Sequence, residues 1–230
     1  MRFGVVRFFG SNCDRDCRHV VGSVLAQPVR FVSHLEESLE DLDCVILPGG
    51  FSYGDYLRGG AIAARTPVMD AVARFARDGG AVIGICNGFQ ILCEAGLLPG
   101  ALITNSGSRF ICRSTTVRLE DNETAFTVDF QPGEVLSMPV AHHQGNYRPP
   151  SEGFFGRVVL RYCDRDGHTG PSSNPNGSWD DVAGVANAEG NVFGLMPHPE
   201  RASEDILDGT DGVKMFTSAL TWWQGGSSYV

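Results

Sequence analysis

One cysteine has the surroundings of a nucleophile. It stands in Gly84-Ile85-Cys86-Asn87-Gly88-Phe89-Gln90, after the apolar run Ala81-Val82-Ile83. The pattern reads as a strand, a sharp turn bearing Cys86, and a helix beginning near Asn87. Such a turn lifts a thiol clear of a sheet, and small flanking residues let the backbone make it. A helix N-terminus beside a sulfur favours thiolate over thiol.

A cysteine nucleophile needs a base, and the base needs an orienting group. Met196-Pro197-His198-Pro199-Glu200 follows an apolar run and supplies both. The two prolines hold the chain extended, so His198 and Glu200 face the same way. Cys86, His198 and Glu200 then form a thiol version of the acyl-transfer triad. Pro48-Gly49-Gly50 ends another apolar run, Asp43-Cys44-Val45-Ile46-Leu47. Paired glycines allow backbone N–H groups close to a substrate. Gly49, Gly50 and the Asn87 N–H are the expected oxyanion hole. Singly, each pattern has a plain structural explanation: a packed cysteine, a proline turn, a glycine turn. Their coincidence at the ends of apolar strands favours catalysis. Cys44, Cys93, Cys112 and Cys163 read as core cysteines.

These residues need a frame. Strands are expected at 3–9, 29–32, 43–47 and 81–85. Helices are expected at about 13–26, capped by Ser11 or Asn12, over a segment carrying Val68, Ala71, Val72 and Phe75 with a stop at Gly79-Gly80, and from near Asn87 to about Glu94. Strand–helix alternation predicts a parallel sheet with helices on both faces. The second half reads as strands at 111–119, 135–140, 158–162, 182–186 and 192–196, with 187–191 as a hairpin loop. Residues 164–178 read as an exposed loop, and a last helix covers about 212–223. The expected fold is a three-layer, mostly parallel α/β sheet extended by antiparallel strands, in one domain over residues 1–230.

The 230 residues, 42% hydrophobic, suffice for one such core. A net charge of −9 argues against nucleic acid. No apolar run is long enough for a membrane span, and the N-terminus reads as a strand rather than a signal peptide. Seven cysteines without framework spacing point to a reducing, cytoplasmic setting. Cys13, Cys17 and His19, like His142-His143, lack convincing ligand spacing, so no metal site is expected. A single lysine, Lys214, against 17 arginines is given no function.

The elbow and His198-Pro199-Glu200 resemble the triad (class I) glutamine amidotransferases. Further blocks narrow the resemblance: Gly10-Ser11-Asn12-Cys13-Asp14, Leu47 to Arg58, Gly145-Asn146-Tyr147, Asn174 to Ser178 and Met196 to Arg201. Together they are similar to the glutaminase subunits of phosphoribosylformylglycinamidine synthases, across nearly the whole chain. The resemblance implies hydrolysis of L-glutamine, with ammonia passed to a large synthase subunit in de novo purine synthesis. It also implies a small third subunit. ATP and Mg²⁺ are expected on the synthase, with no cofactor in this chain. Gln90 is implied near the glutamine pocket; its alternative is a helix residue facing solvent. One departure stands out: the family's His-Gly-Glu-Gly is here His142-His143-Gln144-Gly145. The rival readings are a glutaminase serving another synthase, a cysteine-elbow hydrolase or chaperone of the same fold, and a non-catalytic subunit.

Overall fold

The structure, a computed structural model, describes residues 1–207 and 209–226. From the N-terminus come β1 (Phe3–Arg7), α1 (Asp14–His19), β2 (Val29–Ser33), β3 (Cys44–Leu47), α2 (Pro67–Arg77), β4 (Ala81–Ile85) and α3 (Asn87–Glu94). Then follow β5 (Ala101–Ile103), β6 (Ile111–Leu119), β7 (Val135–His142), β8 (Asn146–Arg148), β9 (Arg157–Cys163), β10 (Val182–Ala186), β11 (Val192–Leu195) and α4 (Val213–Gly226).

Nine strands form one sheet in the order β2-β1-β3-β4-β11-β10-β9-β6-β7. The first five are mutually parallel, and the rest alternate. The expected parallel sheet with an antiparallel extension is therefore present. All residues of β3, β4 and β11 are buried, which explains their unbroken apolar runs. Ile46, Leu47, Ile83 and Ile85 are fully buried, each stabilising the fold by about 1.5–3 kcal/mol.

The crossover from β1 to β2 runs outward one way and that from β3 to β4 the other. Right-handed crossovers then put α1 and α2 on opposite faces. The reversal lies between the neighbours β1 and β3, and ligands bind outside the carboxyl ends of strands at such a point. The 10–13 loop, Gly49-Gly50 and Cys86 all follow strands at this end.

Several expectations are corrected. β1 stops at Arg7, because residues 10–13 turn to bond the segment after β3: the Asn12 and Cys13 N–H groups donate to the Gly49 carbonyl at 3.1 Å. That contact moves the helix cap to Cys13, with no side-chain cap, while Ser11 Oγ accepts from the Phe8 N–H. The helix expected to residue 26 is α-helical only to His19 and widens to a π-turn at Val20–Val24. β5 and β8 go beyond the expected strands; three residues each leave no readable period. Cys112 is exposed rather than core, and Cys93 only partly buried. The loop 164–178 is not exposed throughout: Asn176 and Ser178 are buried at its end.

β7 lies at the far edge of the strand order, yet it returns to the catalytic end. The His198 N–H donates to the Pro139 carbonyl at 2.8 Å.

Candidate active site

Cys86 sits between β4 and α3 at φ +52°, ψ −103°. A non-glycine residue there costs about 1–3 kcal/mol and is held by its surroundings. Those surroundings are close. The Cys86 N–H donates to the Leu195 carbonyl at 2.8 Å, and its own carbonyl accepts from Phe89 and Gln90. A Cβ on Gly88 would lie 2.0 Å from the Leu47 carbonyl oxygen, and one on Gly84 would lie 2.6 Å from the Gly88 backbone. Both glycines are therefore demanded by the packing of α3 on the sheet.

His198 and Glu200 are almost fully buried, and Nδ1 and Oε1 lie 2.6 Å apart. A buried carboxylate at that distance accepts the Nδ1 proton and leaves Nε2 as the reacting nitrogen. Nε2 is buried and has no partner among the described residues. Burial alone lowers the imidazole pKa. The charges of Glu200 and Cys86 outweigh it and hold His198 well above its ordinary value. The sequence-predicted triad residues thus interact electrostatically as one group.

The two glycines have different places. A Cβ on Gly49 would meet His198 Cε1 at 2.7 Å, so Gly49 gives the imidazole its seat. Gly50, at φ +152°, lines a cavity of about 220 Å³ with Phe51, Asp55, Cys86, Gln90, Ala141, His142, His143 and Gln144. That size suits a free amino acid. The N–H groups of Gly49, Gly50 and Asn87 donate to no partner among the described residues.

Gln90 does not face solvent. It is buried, accepts from Asn87 Nδ2 at 2.8 Å and donates to the Gln144 carbonyl at 2.7 Å. The Asn87 side chain also accepts from the Ser52 N–H and donates to Asp55 Oδ1 at 3.3 Å. It ties the elbow to the 51–60 loop. Gln144, standing where the resemblance leads one to expect a glutamate, accepts from the Gly59 N–H at 2.9 Å. An amide oxygen does this as well as a carboxylate.

Sequence reasoning missed four contributors. Ala141 offers its carbonyl to the Cys86 thiol at 3.6 Å. Asn105 uses its Nδ2 on the Arg109 and His142 carbonyls. Its Oδ1 therefore accepts from His142 Nδ1 at 3.2 Å, which fixes that tautomer. Burial lowers His142 to about 4, so the ring is neutral. Cys13 lies 3.9 Å from His198 Nδ1 and accepts from Arg201 Nη2 at 3.0 Å. Burial pushes its thiol up. Asp55 lines the cavity from a loop that carried turn signals and the Leu47 to Arg58 resemblance but no role for this residue. The family block Gly10 to Asp14 pointed to Cys13, which was otherwise weighed only as a metal ligand.

Cys13, Cys17 and His19 do not converge: Cys17 is buried, while His19 pairs with Glu204 at 2.8 Å. Cys13, His198 and Glu200 do approach within 4.8 Å, but Arg201 already occupies the sulfur. The grouping fits a hydrogen-bonded cluster better than a cation site.

A family model described as the CobB/CobQ-like glutamine amidotransferase domain matches residues 1–223. This chain belongs to that glutamine amidotransferase family. Within it, a phosphoribosylformylglycinamidine synthase subunit PurQ from Moorella thermoacetica is 51% identical, covering 98% of each chain. The subunit of the same name from Aquifex aeolicus is 52% identical, over 96% of this chain and 100% of its own. Among solved structures, a chain of PurLQS from Thermotoga maritima superposes with a TM-score of 0.87 at 46% identity, over 96% of this chain and 98% of that one. A second Thermotoga maritima structure, a glutamine amidotransferase at 15% identity, shares the fold with a TM-score of 0.59, over 97% of this chain and 94% of that one.

Proposed function

We propose that this chain is the glutaminase subunit of a phosphoribosylformylglycinamidine synthase. The observation that carries it is full-length identity of 51–52% with subunits of that name. The shared cavity of Cys86, Gln90 and Gly50 supports an amino-acid amide as substrate.

Cys86 attacks the side-chain amide carbon of L-glutamine, and His198 Nε2 takes the thiol proton. Negative charge on the amide oxygen falls to the Gly50 and Asn87 N–H groups. His198 returns the proton to the leaving nitrogen, and ammonia departs. The glutamyl thioester is then hydrolysed by a water that gives its proton to His198; glutamate leaves, and the proton returns to Cys86. Glu200 accepts from Nδ1 throughout and holds the tautomer. Gly49 makes room for the imidazole.

The ammonia passes to a large synthase subunit, which carries ATP and Mg²⁺ and makes formylglycinamidine ribonucleotide. A small third subunit completes the assembly. The glutamine amidotransferase unit is taken to be one domain over residues 1–230. Among the described residues no helix is long and apolar enough to cross a membrane. The cysteines are free thiols, which supports a cytoplasmic setting.

The test is covalent labelling by a glutamine-like diazoketone, read by intact mass and peptide mapping, beside amidine formation in the reconstituted complex. A single adduct on Cys86, blocked by glutamine and absent in Cys86→Ala, is expected. Amidine should form from glutamine only with the partner subunits, ATP and Mg²⁺. No adduct with the synthase present would instead favour a cysteine-elbow hydrolase of this fold.

A further inference from the structure

The cavity beside Cys86 contains one formally anionic side chain, Asp55, and no arginine or lysine lines it. The chain brings Asp55 there by an unfavourable route. Tyr53, Gly54 and Asp55 have φ of +53°, +70° and +52°. Side-chain-bearing residues rarely adopt such values, and they cluster where function requires them. The carboxylate is half-buried, and its hydrogen bond is the 3.3 Å contact from Asn87 Nδ2 to Oδ1. No salt bridge to Asp55 occurs among the described residues, although arginines are abundant elsewhere. Burial raises its pKa to about 6, against the opposing pull of the Asn87 hydrogen bond. The site keeps a costly carboxylate without a counter-charge.

A free amino acid supplies that counter-charge. Its reacting amide must reach Cys86 and the Gly50 and Asn87 N–H groups, while its α-ammonium lies at the other end of the same small cavity. Asn87 spans the two ends, with its backbone at the oxyanion position and its side chain on Asp55 and Gln90. We propose that Asp55 is the receptor for the substrate's α-ammonium group, so that the site selects a free amino acid over an amide without a charged amine. This rests on the glutaminase reading above.

The experiment compares L-glutamine with glutaramic acid, which is glutamine without its α-amino group, in the enzyme assembled with its synthase. Asp55→Asn keeps an oxygen for Asn87 Nδ2 and removes the charge. It should lower kcat/KM for glutamine about 10- to 100-fold, the range of a hydrogen bond to a charged group. It should leave kcat/KM for glutaramic acid within about twofold. Inhibition by glutamate, which keeps the ammonium, should weaken in parallel with glutamine. Equal losses for both amides would reduce Asp55 to a loop-shaping residue and overturn the inference. Calorimetric binding of the same ligands to Cys86→Ala, with and without Asp55→Asn, gives the same comparison without turnover and reports whether the variant is folded. Failure of the wild-type complex to hydrolyse glutamine would remove the glutaminase reading and this inference together. Turnover by wild type with equal losses in the variant would remove this inference alone.

Discussion

Glu200 is bonded to His198 and does not line the cavity, yet its loss should be severe. Its Oε1 is 2.6 Å from His198 Nδ1, and without that acceptor the imidazole can take the wrong tautomer. Glu200→Gln keeps the volume and should lower glutamine hydrolysis on the order of 10³–10⁴-fold. Steady-state glutamate release measures it, and circular dichroism checks the fold; an unchanged rate would take Glu200 out of the triad. His142 gives a pH signature. Its pKa of about 4 in the folded chain lies below the ~6.5 of an unfolded histidine. Between those values the unfolded state binds the proton and the folded state does not. The contribution is complete above about 6.5 and is lost as pH falls towards 4. Urea unfolding at pH 7 and pH 5 should therefore show a smaller acid loss for His142→Gln than for wild type. Equal losses would mean that His142 is not held neutral by the fold.

At the scale of elements, α3 meets β3 through a glycine. Gly88→Ala would place a methyl group 2.0 Å from the Leu47 carbonyl oxygen, and backbone cannot yield as a side chain does. The helix must shift, at a cost of about 1–3 kcal/mol, and Cys86 shifts with it. A thermal melt should fall by several degrees, with activity falling further. Gly107→Ala is the control, since nothing lies within 4 Å of its added methyl. The 51–60 loop is tied to the sheet by Asn87 and by Gln144. Gln144→Leu removes the acceptor for Gly59 and should raise KM for glutamine severalfold. Gln144→Glu retains an acceptor and should restore it. Loss in both variants would point to the amide's N–H₂ instead.

For the whole molecule, the cavity opens beside side chains that the free chain leaves in water. Tyr56 and Leu57 are 74% and 88% exposed, and Phe51, 47% exposed, stacks on Phe110 at 6.4 Å between ring centroids. The same loop carries Asp55 and the strained turn at Tyr53. Such a segment is suited to move on docking. The free chain should hydrolyse glutamine slowly, and adding the synthase partner should raise kcat/KM at least tenfold. Titrating that partner while following glutamate release decides it; equal rates free and assembled would show a site complete in this chain by itself.

The sequence by itself determined the nine strands of the main sheet, the elbow and the candidate triad residues Cys86, His198 and Glu200. Those signals are local: an unbroken apolar run must be buried, Gly84 and Gly88 permit one turn, and prolines around His198 fix an extended segment. It also determined the parallel half of the sheet, because strand–helix alternation has few other solutions. Tertiary structure decided what depends on distant chain segments meeting. The return of β7 brought Ala141 and His142 to Cys86, more than fifty residues away. The pairing of residues 10–13 with Gly49 displaced the helix cap and brought Cys13 to His198. Gly49 and Gly50 look alike in sequence, and only the folded chain set one against His198 and the other against the backbone of residues 10–12. Gln90 stood in the elbow motif and Asp55 in the Leu47 to Arg58 block, yet their partners were not legible there, because the meaning of a polar side chain is set by what surrounds it.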